Sequence, residues 1–425
     1  MFLKFLSTAE LDFNSCFKTG MKKLSKLSKF DRFFTLFWLL GPFIFLIERD
    51  PADLWLTIIC IAFLYRSIKN SDWSWSKQLW FRLALGVWIL SIISSALSPE
   101  ALFSFQQGFV WIRFPLIAVA TQVWIAKDRD IRVLMLISTL VGMLVICLIL
   151  TLEILIEPKA RLTWPYGDTM TGAYLSKVSL PIFCILIAIS TSRAKMISLF
   201  FGSIALSTLA FSILAGERIN FLIRLCGGFL ATFSWKPRLL PLLVFFSLEC
   251  FAIFFVLNRK TDVYSRFTTD LVEIIVHIDD KNGHWGAWRG GIQQGFETPM
   301  LGIGPSGTRN NCKHLIDSDL EWLPGKNVCS NHPHNFYIQL LAELGVLGLL
   351  LGSGMFLSII LVCWKAKQKN PECPMASTAF IIPLALFFPL QQFGSFFSQW
   401  GNIFIWFSIG FALSQFQNLE DKKEN

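Results

Sequence analysis

Charged residues are scarce: Asp, Glu, Lys and Arg make up 16% of the 425 residues, against about a quarter in soluble domains. That deficit excludes an ordinary water-soluble enzyme, a disordered chain and a charge-laced coiled coil. Histidine is rarer still, at five residues, and cysteine, at ten, is spread through apolar stretches rather than in a compact framework, which excludes a secreted disulfide scaffold. What fills the space is hydrophobic: 54% of the chain, with 42 Phe and 16 Trp. A membrane-spanning helix uses about 20 residues, so the chain is long enough to cross a bilayer many times. The net charge of +9 suggests nucleic acid only until the positions of the Lys and Arg residues are considered.

Apolar runs occur at about 33–47, 52–65, 79–97, 109–126, 132–156, 172–191, 196–214, 219–233, 239–257, 336–363, 375–392 and 396–416. Lipid leaves no partner for open backbone groups, so each run is expected to be helical, giving an all-α polytopic membrane protein of about 12 transmembrane helices. The organisation expected is a basic tail at 1–32, a membrane domain of about nine helices at 33–257, a large loop module at 258–335, about three further helices at 336–416, and a short tail at 417–425. Seven Lys/Arg (Lys4, Lys18, Lys22, Lys23, Lys26, Lys29, Arg32) precede the first run without a cleavable h-region, which reads as an uncleaved cytoplasmic tail. With that tail inside, the connections 66–78, 127–131, 192–195, 234–238 and 364–374 also fall inside, and each carries Lys or Arg. The connections 48–51, 98–108, 157–171, 215–218, 258–335 and 391–395 fall outside, and the short ones hold only Arg49, Lys159, Arg161 and Arg218. This is the positive-inside asymmetry; it accounts for most of the basic excess without nucleic acid.

The outer loop 258–335 holds all five histidines (His277, His284, His314, His332, His334) and two of the cysteines, Cys312 and Cys329. Two cysteines in an oxidising compartment point to a disulfide worth about 3 kcal/mol, with two free thiols as the alternative. Helical spacing predicts one helix over Val263–Ile278 and a second over His284–Glu297, the latter stopped by Thr298-Pro299. Where the loop runs into the next span stands Pro333-His334-Asn335-Phe336-Tyr337, which puts an imidazole at headgroup level, suited to taking a proton from a hydroxyl; the plainer alternative is a helix-capping histidine. Arg218 follows Gly216-Glu217 at an outer turn, and a guanidinium fork there suits a diphosphate, or else pairs with the glutamate. Arg289 lies among tryptophans, where a cation–π surface contact is the alternative. Arg266, with Asp270 one turn on, and Arg113, near the outer end of a span, are secondary candidates.

Three other strings carry little weight. Gly302-Ile303-Gly304-Pro305-Ser306-Gly307 fits GxGxxG but follows no strand, and reads as a turn-rich loop. Asp317-Ser318-Asp319 reads as a solvated turn, and His332-Pro333-His334 lacks the further ligands a zinc site needs, so no metal or other cofactor is expected.

These residues together resemble the superfamily of O-antigen ligases and polymerases of the bacterial envelope. His334-Asn335 followed by Gly345 and Gly348 is similar to the ligase pattern of His, then Asn, Ser or Gln, nine residues, then Gly-x-x-Gly, with Leu349 where a small or aromatic residue often follows. Gly216-Glu217-Arg218 resembles the family's arginine turn, Trp288-Arg289 through Phe296, Pro299, Gly302 and Gly304 its loop segment with a second arginine, and Gly172-Ala173-Tyr174-Leu175 a recurring element. The resemblance implies a multi-pass protein of the bacterial inner membrane, with cytoplasmic termini and an active site facing the periplasm. It implies a membrane-embedded, metal-independent, inverting glycosyltransferase that moves a glycan from undecaprenyl diphosphate to a hydroxyl of lipid A–core. His334 would be the base, with Arg218 and Arg289 on the diphosphate. A repeat-unit polymerase is the alternative within the superfamily. A transporter or flippase is the alternative outside it, though the intramembrane charges are scattered and no internal repeat stands out.

Overall fold

The computed structural model describes residues 7–8, 11–157, 161–168, 170–192, 196–216, 218–235, 283–311, 330–389 and 394–416. They are helical throughout, apart from a two-residue pairing of Ser7–Thr8 with Leu11–Asp12. Among the described residues, four helices are long and apolar enough to cross a membrane: Arg49–Asn70, Ala101–Ile125, Arg129–Ile156 and Phe336–Lys369. A fifth span forms if Met170–Val178 and Leu180–Ser190, bent by 52°, are taken together. Leu79–Ser95, Phe200–Leu214 and Pro374–Leu386 are shorter apolar helices. The described residues thus give four such helices, or five with the bent pair, beside the shorter apolar ones. The run at 33–47 breaks into Lys29–Leu39 and Gly41–Ile44, because Pro42 has no N–H to continue the first helix and starts a second. The connection expected at 98–108 is itself helical, Ala101–Trp111, and leads directly into the next span. The run at 239–257 and the helix over 263–278 lie outside the described residues.

The connections gather at two ends of the bundle. At one end, Lys23 of the helix Phe13–Lys26 pairs with Asp128 and Asp130 at 2.7 and 2.8 Å, and Gly20 rests on the Asp130 carbonyl. Trp124 Nε1 donates to Asp31 there at 2.7 Å, Trp235 Nε1 donates to the Glu372 carbonyl at 3.1 Å, and Arg132 donates to the Ser414 carbonyl at 3.2 Å. The helix Phe13–Lys26 thus shares this end with the connection 127–131 and with described parts of 234–238 and 364–374. At the other, Glu153, at the end of Arg129–Ile156, accepts from the Thr163 and Trp164 amides at 2.9 to 3.0 Å and folds the 161–168 loop over the helix.

Buried charges inside the bundle have structural employment. The helices loosen into π turns at Thr121–Ile125 and Tyr174–Val178. Arg224, fully buried, donates to the Leu175 carbonyl, to Thr208 Oγ1 and, at 2.9 Å, to Ser179 Oγ, and lies 3.9 Å over the Phe183 ring. It satisfies the carbonyl that a π turn displaces, which a lipid environment would leave costly. Arg132 likewise covers the Ala126 and Lys127 carbonyls at 2.8 and 3.1 Å. Around them the core is aromatic: Trp38 stacks on Phe407 at 4.7 Å and gives its N–H to Thr121 at 3.0 Å, and Trp111 stacks on Phe396 at 5.0 Å.

Candidate active site

His334 stands at the start of the helix Phe336–Lys369, whose far end runs to the Asn370–Cys373 turn at the tail-bearing end of the bundle. Its backbone is left-handed, φ 54°, a conformation that costs a non-glycine residue about 1–3 kcal/mol and concentrates at functional positions. The helix is capped not by the histidine but by Asn335, whose Oδ1 accepts from the Tyr337 and Ile338 amides at 2.9 and 3.2 Å. The Asn335 amide donates to the Pro389 carbonyl at 2.7 Å and the Tyr337 hydroxyl to the Phe387 carbonyl at 2.6 Å, so the turn is tied down on both sides of the histidine. The half-buried imidazole has Nε2 3.4 Å from Ser330 Oγ and its ring 4.1 Å from that of His332.

Arg289 is carried by the helix Gly283–Glu297, with the boundaries the spacing predicts to within one residue. That helix lies directly against the histidine turn. A Cβ at Gly291 would come within 2.8 Å of Pro333, and one at Gly295 within 2.5 Å of Leu341, so only glycine permits the approach. Arg289 is 6% exposed, so it is buried rather than in the surface contact that was its alternative.

Just below, the Phe336–Lys369 helix is broken at Gly345, φ 67° and ψ −168°. The break releases carbonyls, and the segment after Pro299 supplies their partners. The Ile303 and Gly304 amides donate to the Ala342 and Glu343 carbonyls at 3.2 and 2.9 Å, and the Val346 amide donates back to Pro299 at 2.8 Å. Gly302-Ile303-Gly304-Pro305 is thus a buried plug rather than the turn-rich outer loop its composition suggests. Glu343 holds it: the fully buried carboxylate accepts from the Ser306 amide at 2.8 Å, Thr308 Oγ1 at 2.7 Å and Gln339 Nε2 at 3.0 Å. Gln339 extends the network, donating to Ser395 at 2.8 Å and accepting from the Phe396 amide at 2.7 Å. Sequence reading passed over both residues, because a glutamate in an apolar run gives no sign of its partners.

Arg218 begins the helix Arg218–Ser234, whose other end places Trp235 on Glu372. Arg218 and His334 therefore occupy the same end of the bundle, opposite the tail. The turn before Arg218 adds a group that the sequence did not single out: Arg161, whose side chain crosses Gly216, where a Cβ would sit 2.9 Å from Arg161 Cγ. In the same loop the Tyr166 hydroxyl is buried without a partner among the described residues, and burial holds it well above the usual phenol range, so it stays a donor. Arg113 does not reach toward a headgroup. Its fork is bidentate on Asp53, both bonds at 3.0 Å, and its Nε donates to Val110. Replacing Asp53 by Asn strands that guanidinium and is expected to lower stability by about 3 kcal/mol, read by thermal unfolding in detergent, with recovery in the Asp53→Arg/Arg113→Asp exchange. Arg266, Cys312 and Cys329 lie outside the described residues, as do His277, His314, Asp317 and Asp319.

Residues 178–353 match the family model of the O-antigen ligases, a stretch that takes in Arg218, Arg289, His334 and the Gly345 break. No curated protein matches the chain. The helices long and apolar enough for a bilayer agree with a membrane protein, and family members are glycosyltransferase-like enzymes acting on lipid-linked glycans. Over this stretch, somewhat less than half of the chain, the protein is similar to the O-antigen ligases, and the match supports that superfamily.

Proposed function

We propose that the protein transfers a glycan from undecaprenyl diphosphate to a hydroxyl of lipid A–core, at the periplasmic face of the inner membrane, with both termini cytoplasmic. The observation that carries this reading is the His334 turn: an imidazole on a strained backbone, relieved of capping by Asn335 and packed against the helix that brings Arg289. His334 takes the proton of the acceptor hydroxyl as its oxygen attacks the anomeric carbon. The bond from that carbon to the diphosphate oxygen breaks, and its electron pair leaves with the diphosphate. Attack opposite the leaving group inverts the anomeric centre. Arg218 and Arg289 stabilise the developing negative charge, a role in which losing one donor costs about 10²–10³-fold, and no metal is required. Arg161, beside Gly216, is placed to add to the same field.

Repeat-unit polymerisation uses the same chemistry with a second lipid-linked repeat as acceptor, and Leu349, where the ligase pattern often has a small or aromatic residue, favours it. Purified protein in nanodiscs, given a synthetic polyprenyl-diphosphate repeat with and without lipid A–core, separates the two. A ligase yields glycosylated core, a polymerase yields lipid-linked oligomer without core, and neither product rejects the proposal. In that assay Arg218→Lys and Arg289→Lys keep the charge but lose the fork, and each is expected to lower turnover at least about tenfold. Undiminished turnover in both excludes bidentate clamping.

A further inference from the structure

At the end of the bundle opposite the candidate active site, a cavity of about 250 Å³ opens among Arg129, Arg132, Asn370, Cys373 and Gln415. The 25 residues from Gly345 to Lys369 alone span about 37 Å of helix, so it is separate from the His334 turn. Its polar lining is basic and amide, with no carboxylate in it. The nearest acids on the same element, Asp128 and Asp130, are both engaged by Lys23 at 2.7 and 2.8 Å. Arg132 is 1% exposed; Nη1 makes all three of its carbonyl bonds, and Nε has no partner among the described residues. Arg129, exposed, is the first residue of its helix, where a positive charge opposes the helix dipole, so local helix stability does not explain it. The wall opposite is the Asn370–Cys373 turn, and the basic helix Phe13–Lys26 packs against the same helix start.

We propose that this cavity binds a phosphate group, through the guanidinium groups of Arg129 and Arg132 and the amide of Asn370. Planar guanidinium forks beside neutral amide donors are the chemistry that recognises phosphate oxygens. The volume admits a phosphate with a small polar substituent. At a helix start beside a lysine-rich amphipathic helix, an anionic phospholipid headgroup and free phosphate share that chemistry.

Cys373 lines the cavity and reports its occupancy. The full chain is placed in phosphatidylcholine nanodiscs, in the same discs with millimolar inorganic phosphate, and in phosphatidylglycerol discs. Maleimide labelling of Cys373 is then followed by peptide mass spectrometry. Labelling in phosphatidylglycerol is expected to be about tenfold slower than in phosphatidylcholine, and Arg129→Gln to abolish the difference, as loss of one charge-assisted contact would. Protection by inorganic phosphate in phosphatidylcholine discs identifies a soluble ligand; protection by phosphatidylglycerol alone identifies the headgroup. Equal rates in all three conditions overturn the proposal. So does protection that survives Arg129→Gln, since a general surface-potential effect would survive it too. Arg129→Gln must melt as wild type; Asn370→Ala, which leaves the Arg132 bonds untouched, is the second variant and should weaken protection in the same direction.

Discussion

Substituting Asn for His334 is expected to reduce glycan transfer by about 10²–10⁴-fold while leaving the protein folded, the loss typical of a removed general base. Asparagine is the informative replacement. His334 has φ 54°, and asparagine is among the few residues that tolerate that conformation, so the backbone of the turn is retained. Alanine would confound loss of the base with strain relief or local rearrangement. The Asn335 cap and the Tyr337–Phe387 bond do not involve the imidazole, so the melting temperature should stay within a few degrees. Transfer above about a tenth of wild type would remove His334 from the chemistry and leave its strained backbone as a matter of loop geometry alone.

The largest effect on stability is expected at Gly345. A Cβ there would lie 2.5 Å from the Met300 carbonyl carbon and oxygen and 2.7 Å from the Pro299 oxygen, all backbone atoms that cannot step aside. The left-handed φ adds its own cost for any L side chain, about 1–2 kcal/mol. Gly345→Ala should therefore cost more than about 4 kcal/mol and strip folded protein from the membrane fraction. Gly394→Ala, where a Cβ meets nothing within 4 Å, is the matched control and should express as wild type. Normal yields and melting for Gly345→Ala would mean that the plug and the helix break do not interlock as described.

Composition and the apolar runs were enough to place most helices, because lipid makes backbone satisfaction a local matter and local matters are written in consecutive residues. The helix around Arg289 was legible for the same reason: its Trp, Ile and Phe positions repeat at helical spacing. Interruptions were less legible. Nothing in Tyr174-Leu175-Ser176-Lys177-Val178 announces a π turn, since the residue that stabilises it, Arg224, lies 49 positions from Leu175. Arg113 looked available until Asp53, 60 residues away, was found in its fork. Gly302 to Pro305 reads as loop from its glycines, yet those glycines are there for close backbone approach: a Cβ at Gly302 would lie 2.2 Å from Glu343 C. For the proposed site, residue type and position could nominate His334, Arg218 and Arg289, whereas the surroundings of Asn335, Gln339, Glu343 and Arg161 are defined by partners distant in sequence.

The seam at Gly345 also bears on biosynthesis. Ser94 Oγ shares its one proton between the Leu301 carbonyl, 207 residues later, at 2.6 Å and the Glu343 carbonyl, 249 residues later, at 2.9 Å. The ribosome has long finished the helix carrying Ser94 when these acceptors emerge, at about 5–20 residues per second an interval of roughly ten to fifty seconds. During that time the hydroxyl and its neighbours must be shielded by water, lipid or an insertase. The late segment then acts as a keystone, locking early helices into register only when translation is nearly done. Nascent chains halted before residue 346 should accordingly be cleared by membrane proteases much faster than chains halted after it.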